Sequence, residues 1–229
     1  MKKYIFTLVL LMSLITPCFA KDVVIFAGQS NALLLDTPAF QAKYLALTGQ
    51  PVDVYNCAVG STYIMQHALD FVTPSLGAPT AECRQIMQRE VGLGNTIKGV
   101  IFWQGESDTF KTAVRPAAFR GSYSTDWLRN FQTVQQIFRN AINKPALKFV
   151  VIRLPKILPG CMISSIEPIS YQYIREFQKA LPFIQNDTAI LANDDEVYTC
   201  GDVHLTGQPG AYTRITENAA STLVNSFSS

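Results

Sequence analysis

The sequence predicts a three-layer α/β/α sandwich built on a mostly parallel five-stranded sheet. Two observations predict it. Five apolar, β-branched runs lie at residues 23–27, 52–55, 99–103, 149–154 and 189–192, and longer amphipathic stretches alternate with them. The runs are continuously apolar rather than alternating, the pattern of parallel strands covered on both faces. Strands that alternate with helices then stack as helix, sheet, helix.

Taken in order, the first run ends in Gly28-Gln29-Ser30-Asn31, which reads as a tight turn into a helix. The second leads into Asn56-Cys57-Ala58-Val59-Gly60-Ser61. Residues 62–95 carry prolines and glycines and read as a surface excursion near the site. The third run continues into Gln104-Gly105-Glu106-Ser107-Asp108. Over 125–141, Trp127, Leu128, Phe131, Val134, Ile137 and Phe138 recur at helical spacing. A further helix is expected over 170–181, ended by Pro182, and a last one over 210–224. In sheets of this kind ligands bind beyond the carboxyl ends of the strands, so the three polar, glycine-containing segments mark where chemistry is expected.

With 229 residues, 48% of them hydrophobic, the chain suits one domain over 21–229 after loss of a leader. That leader is residues 1–20: Lys2 and Lys3, an apolar stretch to about Ile15, then Pro17-Cys18-Phe19-Ala20, the three regions of a secretory signal peptide cleaved after Ala20. The apolar run is too short to span a bilayer, so the expectation is a secreted or periplasmic protein with no stable membrane insertion after cleavage. A net charge of +2 without blocks of like charge excludes a nucleic-acid arm or a membrane-surface patch. Cleavage leaves Cys57, Cys83, Cys161 and Cys200, an even count that predicts one or two disulfides with three pairings open. There is no Cys-x-x-Cys pair, so no structural zinc site is expected, and nothing in the residues calls for a cofactor.

A serine hydroxyl becomes an acyl acceptor only beside a base, with a group to orient that base and donors for the oxyanion. Ser30, one turn after a strand, is the candidate nucleophile; its alternative role is to cap the following helix. Only two histidines are present. His204, beyond the last strand and two residues after Asp202, is the candidate base, whereas His67 reads as a surface or pocket-wall residue. Asp202 shares a face with His204 in an extended segment and is the candidate orienter. Asp194, Asp195, Glu196 and a backbone carbonyl compete for that role. The amides of Ser30 and Gly60 and the side chain of Gln104 are the oxyanion candidates, each with an ordinary turn or strand-end alternative. Glu106 and Asp108, as a carboxylate pair two residues apart in a loop, are a poor match to a glycosidase.

Together these segments resemble the SGNH hydrolase superfamily, and within it the sialate O-acetylesterase-like and acetylxylan esterase-like branch. The specific match is Phe102-Trp103-Gln104-Gly105-Glu106, supported by Gly28-Gln29-Ser30-Asn31. The resemblance implies a flavodoxin-like sandwich, no metal, Ser30 as nucleophile, Ser30, Gly60 and Gln104 in the oxyanion hole, and His204 as base with Asp202 as partner. Gln29, Asn31 and Glu106 are implied as supporting residues. The superfamily usually spaces acid and base as Asp-x-x-His; here that acid position is Gly201, which leaves a Ser-His dyad as the alternative. The expected activity is removal of short acyl groups from a small-molecule or polysaccharide ester. A lipase, lysophospholipase or thioesterase of the same fold, and an inactive carbohydrate-binding module, are the competing readings. Oligomeric state is left open.

Overall fold

The computed structural model describes residues 20–69, 79–111, 126–161, 163–185, 188–191 and 195–228. The expected leader lies outside them, apart from Ala20. All five strands form where apolar runs predict them: β1 (Asp22–Gly28), β2 (Val52–Asn56), β3 (Thr96–Trp103) and β4 (Lys148–Ile152), with Thr188–Leu191 as the fifth. Between the last two, Lys156–Ile157 forms the short strand β5, so Thr188–Leu191 is β6; Val197–Tyr198, β7, pairs with β5 in a separate two-stranded sheet. The main sheet runs β2-β1-β3-β4-β6, every pair parallel. That is the doubly wound order of flavodoxin-like folds, in which the chain reverses direction beside β1.

The helices are α1 (Ser30–Leu33), α2 (Thr37–Thr48), α3 (Ile64–Leu69), α4 (Pro79–Gly92), α5 (Trp127–Ala141), α6 (Pro168–Ile184) and α7 (Ala211–Asn225). On β3, Gly99 leaves room for Leu223 of α7, while Phe102, three residues on and so on the other face, packs 5.4 Å from Phe131 of α5. Thus α2 and α7 cover one face of the sheet, and α4 and α5 the other. Phe131 and Phe138 close over Phe149 of β4 and join the apolar cluster that lines the sheet.

Two expectations change. Residues 62–95 are no simple excursion, because α3 and α4 occupy their described part, and α4 packs on β1 and β3. Its buried stripe is Thr80, Cys83, Met87 and Glu90, helical in spacing but half polar, so hydrophobic periodicity does not reveal it. Helix α6 runs through Pro182 rather than stopping before it. The proline lies in the last turn, where one ladder bond is lost, and Gln185 N still donates to Leu181 O at 2.8 Å. The four cysteines pair as Cys57–Cys83 and Cys161–Cys200.

Candidate active site

The site lies at the carboxyl ends of β1 and β3. Gly28 closes β1 at φ 128°, and a methyl there would meet the Trp103 carbonyl oxygen at 2.0 Å, so only glycine permits the approach of the two strand ends. Gln29 N donates to that same Trp103 oxygen at 3.0 Å, and Gln29 Oε1 accepts from Ser107 N at 3.3 Å. The turn bearing Ser30 is thereby fastened to the segment that follows β3. The cap position of α1 is Gln29, and Ser30 is the first helical residue, so Ser30 does not serve as the cap.

Ser30 Oγ instead faces His204 Nε2 at 2.9 Å. On the other side of the ring, His204 Nδ1 is 2.9 Å from Asp202 Oδ1, and the same oxygen accepts from His204 N at 2.9 Å. The closer acid spacing therefore still reaches the imidazole, because Asp202 folds back onto the peptide of its own histidine. Of the competing acids, Glu196 is paired with Arg214 at 2.9 Å and Asp194 lies outside the described residues. The His204 and Asp202 side chains are 32% and 46% exposed, so the arrangement opens to solvent.

Gly60 comes close to the serine: a methyl built on it would lie 3.8 Å from Ser30 Cβ. Its loop is held by Val59 N donating to Gly28 O at 3.0 Å and by the Thr62 hydroxyl donating to Val59 O at 2.7 Å. Gln104 is placed differently from the expectation. Its side chain is fully buried; Nε2 donates to the Asp108 carboxylate and, at 3.4 Å, to Thr62 O, while Oε1 accepts from Trp127 Nε1 at 2.7 Å. Both amide hydrogens thus brace the Gly60 loop, with Asp108 also accepting from Ile64 N at 2.9 Å, and neither is directed at Ser30. A buried amide takes the strongest acceptors within reach, here a carboxylate.

His67 is not on the surface or at a pocket wall but buried behind that loop, 1% exposed. Its Nε2 is 2.9 Å from Thr62 Oγ1, whose proton goes to Val59 O, so the imidazole is the neutral tautomer that donates from Nε2. Burial pulls its pKa down to about 3.

The supporting residues converge. Asn31 Nδ2 faces Glu106 Oε1 at 2.7 Å, Tyr198 OH at 2.9 Å and Val203 O at 2.8 Å, and Tyr198 OH donates to Glu106 Oε1 at 2.7 Å. Burial raises the Glu106 carboxyl, while bonds from Tyr198 and Asn31 oppose the shift. Sequence reasoning missed Tyr198, Tyr212 and Trp127 as site residues. No local motif marks them, and each enters by a contact across the fold. Among the described residues, no group of three or more His, Cys, Asp or Glu side chains is placed to hold a metal ion.

The parallel five-stranded sheet with helices on both faces is a fold shared with solved structures of esterases. Solved structures of similar fold include a protein from Arabidopsis thaliana (TM-score 0.61, 12% identity, 90% of this chain and 98% of that one). Est24, a carbohydrate acetylesterase from Sinorhizobium meliloti, has TM-score 0.54 and 13% identity over 90% of this chain and 99% of its own. The aryl esterase of M. smegmatis has TM-score 0.52 and 13% identity over 91% and 99%. No curated protein matches the chain in sequence. Residues 37–222, well over half of the chain, match the family of carbohydrate esterases described as sialic acid-specific acetylesterase. The chain belongs to that family and is a carboxylic ester hydrolase. The matched span contains Gln104, Glu106, Asp202 and His204 but begins after Ser30.

Proposed function

We propose that the protein is a secreted serine esterase that removes short acyl groups, acetyl foremost, from carbohydrate through an acyl-enzyme on Ser30. The observation that carries this reading is the contact of Ser30 Oγ with His204 Nε2, backed by Asp202 on the opposite ring nitrogen. His204 accepts the serine proton as Oγ attacks the acyl carbonyl, and Asp202, accepting from Nδ1–H, fixes the tautomer and stabilises the imidazolium. The developing oxyanion is met by the amide of Ser30, in the first turn of α1 where it has no intrahelical acceptor, and by that of Gly60. As the bond to the sugar oxygen breaks, the imidazolium gives its proton to that oxygen, which leaves as the free hydroxyl, and water repeats the sequence on the acyl-enzyme to release the acid. Gln104 contributes by holding the Gly60 loop.

The open, half-exposed acid–base pair supports a short acyl group on a bulky alcohol over a long acyl chain, which requires an enclosing apolar channel. The family's description makes O-acetylated sialic acids the first sugars to test. Secretion rests on the leader pattern of residues 1–20, and the two disulfides support it.

A fluorophosphonate probe followed by mass spectrometry tests both parts. The expected result is an adduct on Ser30 and a mature chain beginning at Lys21. Absence of an adduct, or an adduct elsewhere, sinks the mechanism. Equal release of acetate by wild type and Ser30→Ala does the same.

A further inference from the structure

We propose that Tyr212 is a positioning residue that sets the His204 imidazole against Ser30 by clamping the peptide on both sides of the histidine. The proposal rests on the reading of Ser30 and His204 given above. Leu205 N–H can only donate, and it does so to Tyr212 OH at 3.1 Å. The phenolic proton is therefore free for Asn31 Oδ1, 2.6 Å away. That bond, together with the Glu106 carboxylate that accepts from Nδ2 at 2.7 Å, fixes which way the Asn31 amide points, with Nδ2 toward Val203 O at 2.8 Å. The carbonyl before His204 and the amide after it are thus both held, and both holds run through Asn31, the residue next to Ser30 in the chain.

Packing alone does not locate the histidine, because its side chain is one-third exposed and that of Asp202 nearly half. The polar clamp lies deeper: Leu205 and Asn31 are fully buried. Tyr212 and Val203 are half-buried, so these hydrogen bonds are partly screened from water, and their single allowed polarity is what keeps the Ser30–His204 distance. Burial pushes the Tyr212 phenol up to about 12, so it stays a proton donor throughout the working range of an esterase.

Tyr212→Phe removes the hydroxyl alone and keeps the ring against Trp103, 6.0 Å between centroids. The experiment measures the rate of fluorophosphonate labelling at Ser30, kcat and KM on p-nitrophenyl acetate, and the melting temperature. The expected result is a loss of about 10- to 100-fold in both labelling rate and kcat, as for a misplaced catalytic group, with KM within about twofold. A lowered melting temperature with labelling rate and kcat unchanged overturns the proposal and leaves Tyr212 a purely structural residue. Wild type that takes no label at Ser30 overturns the parent reading instead. Should Tyr212→Phe not fold, hydrogen exchange of the Leu205 amide in wild type decides: slow exchange is expected, and exchange at the rate of an exposed amide overturns the clamp.

Discussion

Ser30 Oγ and His204 Nε2 are 174 positions apart in the chain and 2.9 Å apart in space. The fold makes this contact by ending β1 in a glycine turn and by bringing the segment after β7 back over it, with Cys200 tied to Cys161 two residues before Asp202. The geometry suits proton transfer from the serine hydroxyl to the imidazole, and its parts separate experimentally.

Asp202 is the first part to separate. Replacing it with Asn keeps the shape but removes the carboxylate that holds Nδ1–H. The expected loss in kcat is about 10²- to 10⁴-fold with KM little changed. Steady-state kinetics on a chromogenic acetyl ester measures it, and a loss below about threefold identifies a Ser-His dyad.

Gly28 admits no side chain, since a methyl would sit 2.0 Å from the Trp103 carbonyl at a φ that L-residues avoid. Gly28→Ala is expected to destabilise the protein by more than about 3 kcal/mol or to abolish folding. A thermal melt within a few degrees of wild type contradicts this account of the turn.

The buried His67 makes stability depend on acid. Its folded pKa of about 3 lies below the ordinary 6.5, so the unfolded chain binds a proton that the folded one refuses. The stability contributed is complete above pH 6.5 and is lost as pH falls from there toward 3, at about 1.4 kcal/mol per pH unit where the difference is one full proton. His67→Gln keeps a donor for Thr62 but cannot titrate. Urea unfolding of the variant between pH 6.5 and 4 is expected to show a slope shallower by about one proton, and parallel curves count against burial of a neutral imidazole.

The Cys161–Cys200 bridge closes a loop of sequence separation 39. Chain-entropy reasoning assigns such a loop about 3–4 kcal/mol. A Cys161→Ser/Cys200→Ser double variant is expected to lose about that much in denaturant titration, and to lose kcat as well, since the bridge anchors the segment bearing Asp202 and His204. Unaltered kcat argues that hydrogen bonds alone hold that segment.

The sequence by itself determined the five strands, their parallel class and the glycine-rich turns at their ends. Strands buried on both faces must be apolar throughout, and a turn that tight at Gly28 needs glycine, so both are written locally. Scarcity of histidine pointed to His204 in the same way. Helix α4 escaped detection because its buried side carries Thr80 and Glu90 and its Cys83 is spoken for by Cys57. Only the tertiary structure decided that Gln104 braces a loop, that His67 is buried, which cysteines pair, and that Tyr198 and Tyr212 reach Asn31. Those outcomes depend on which donor meets which acceptor across segments up to 181 residues apart, as for Tyr212 and Asn31. A buried polar atom takes its partner from the strand order and helix placement of the whole domain, and no local pattern encodes that choice.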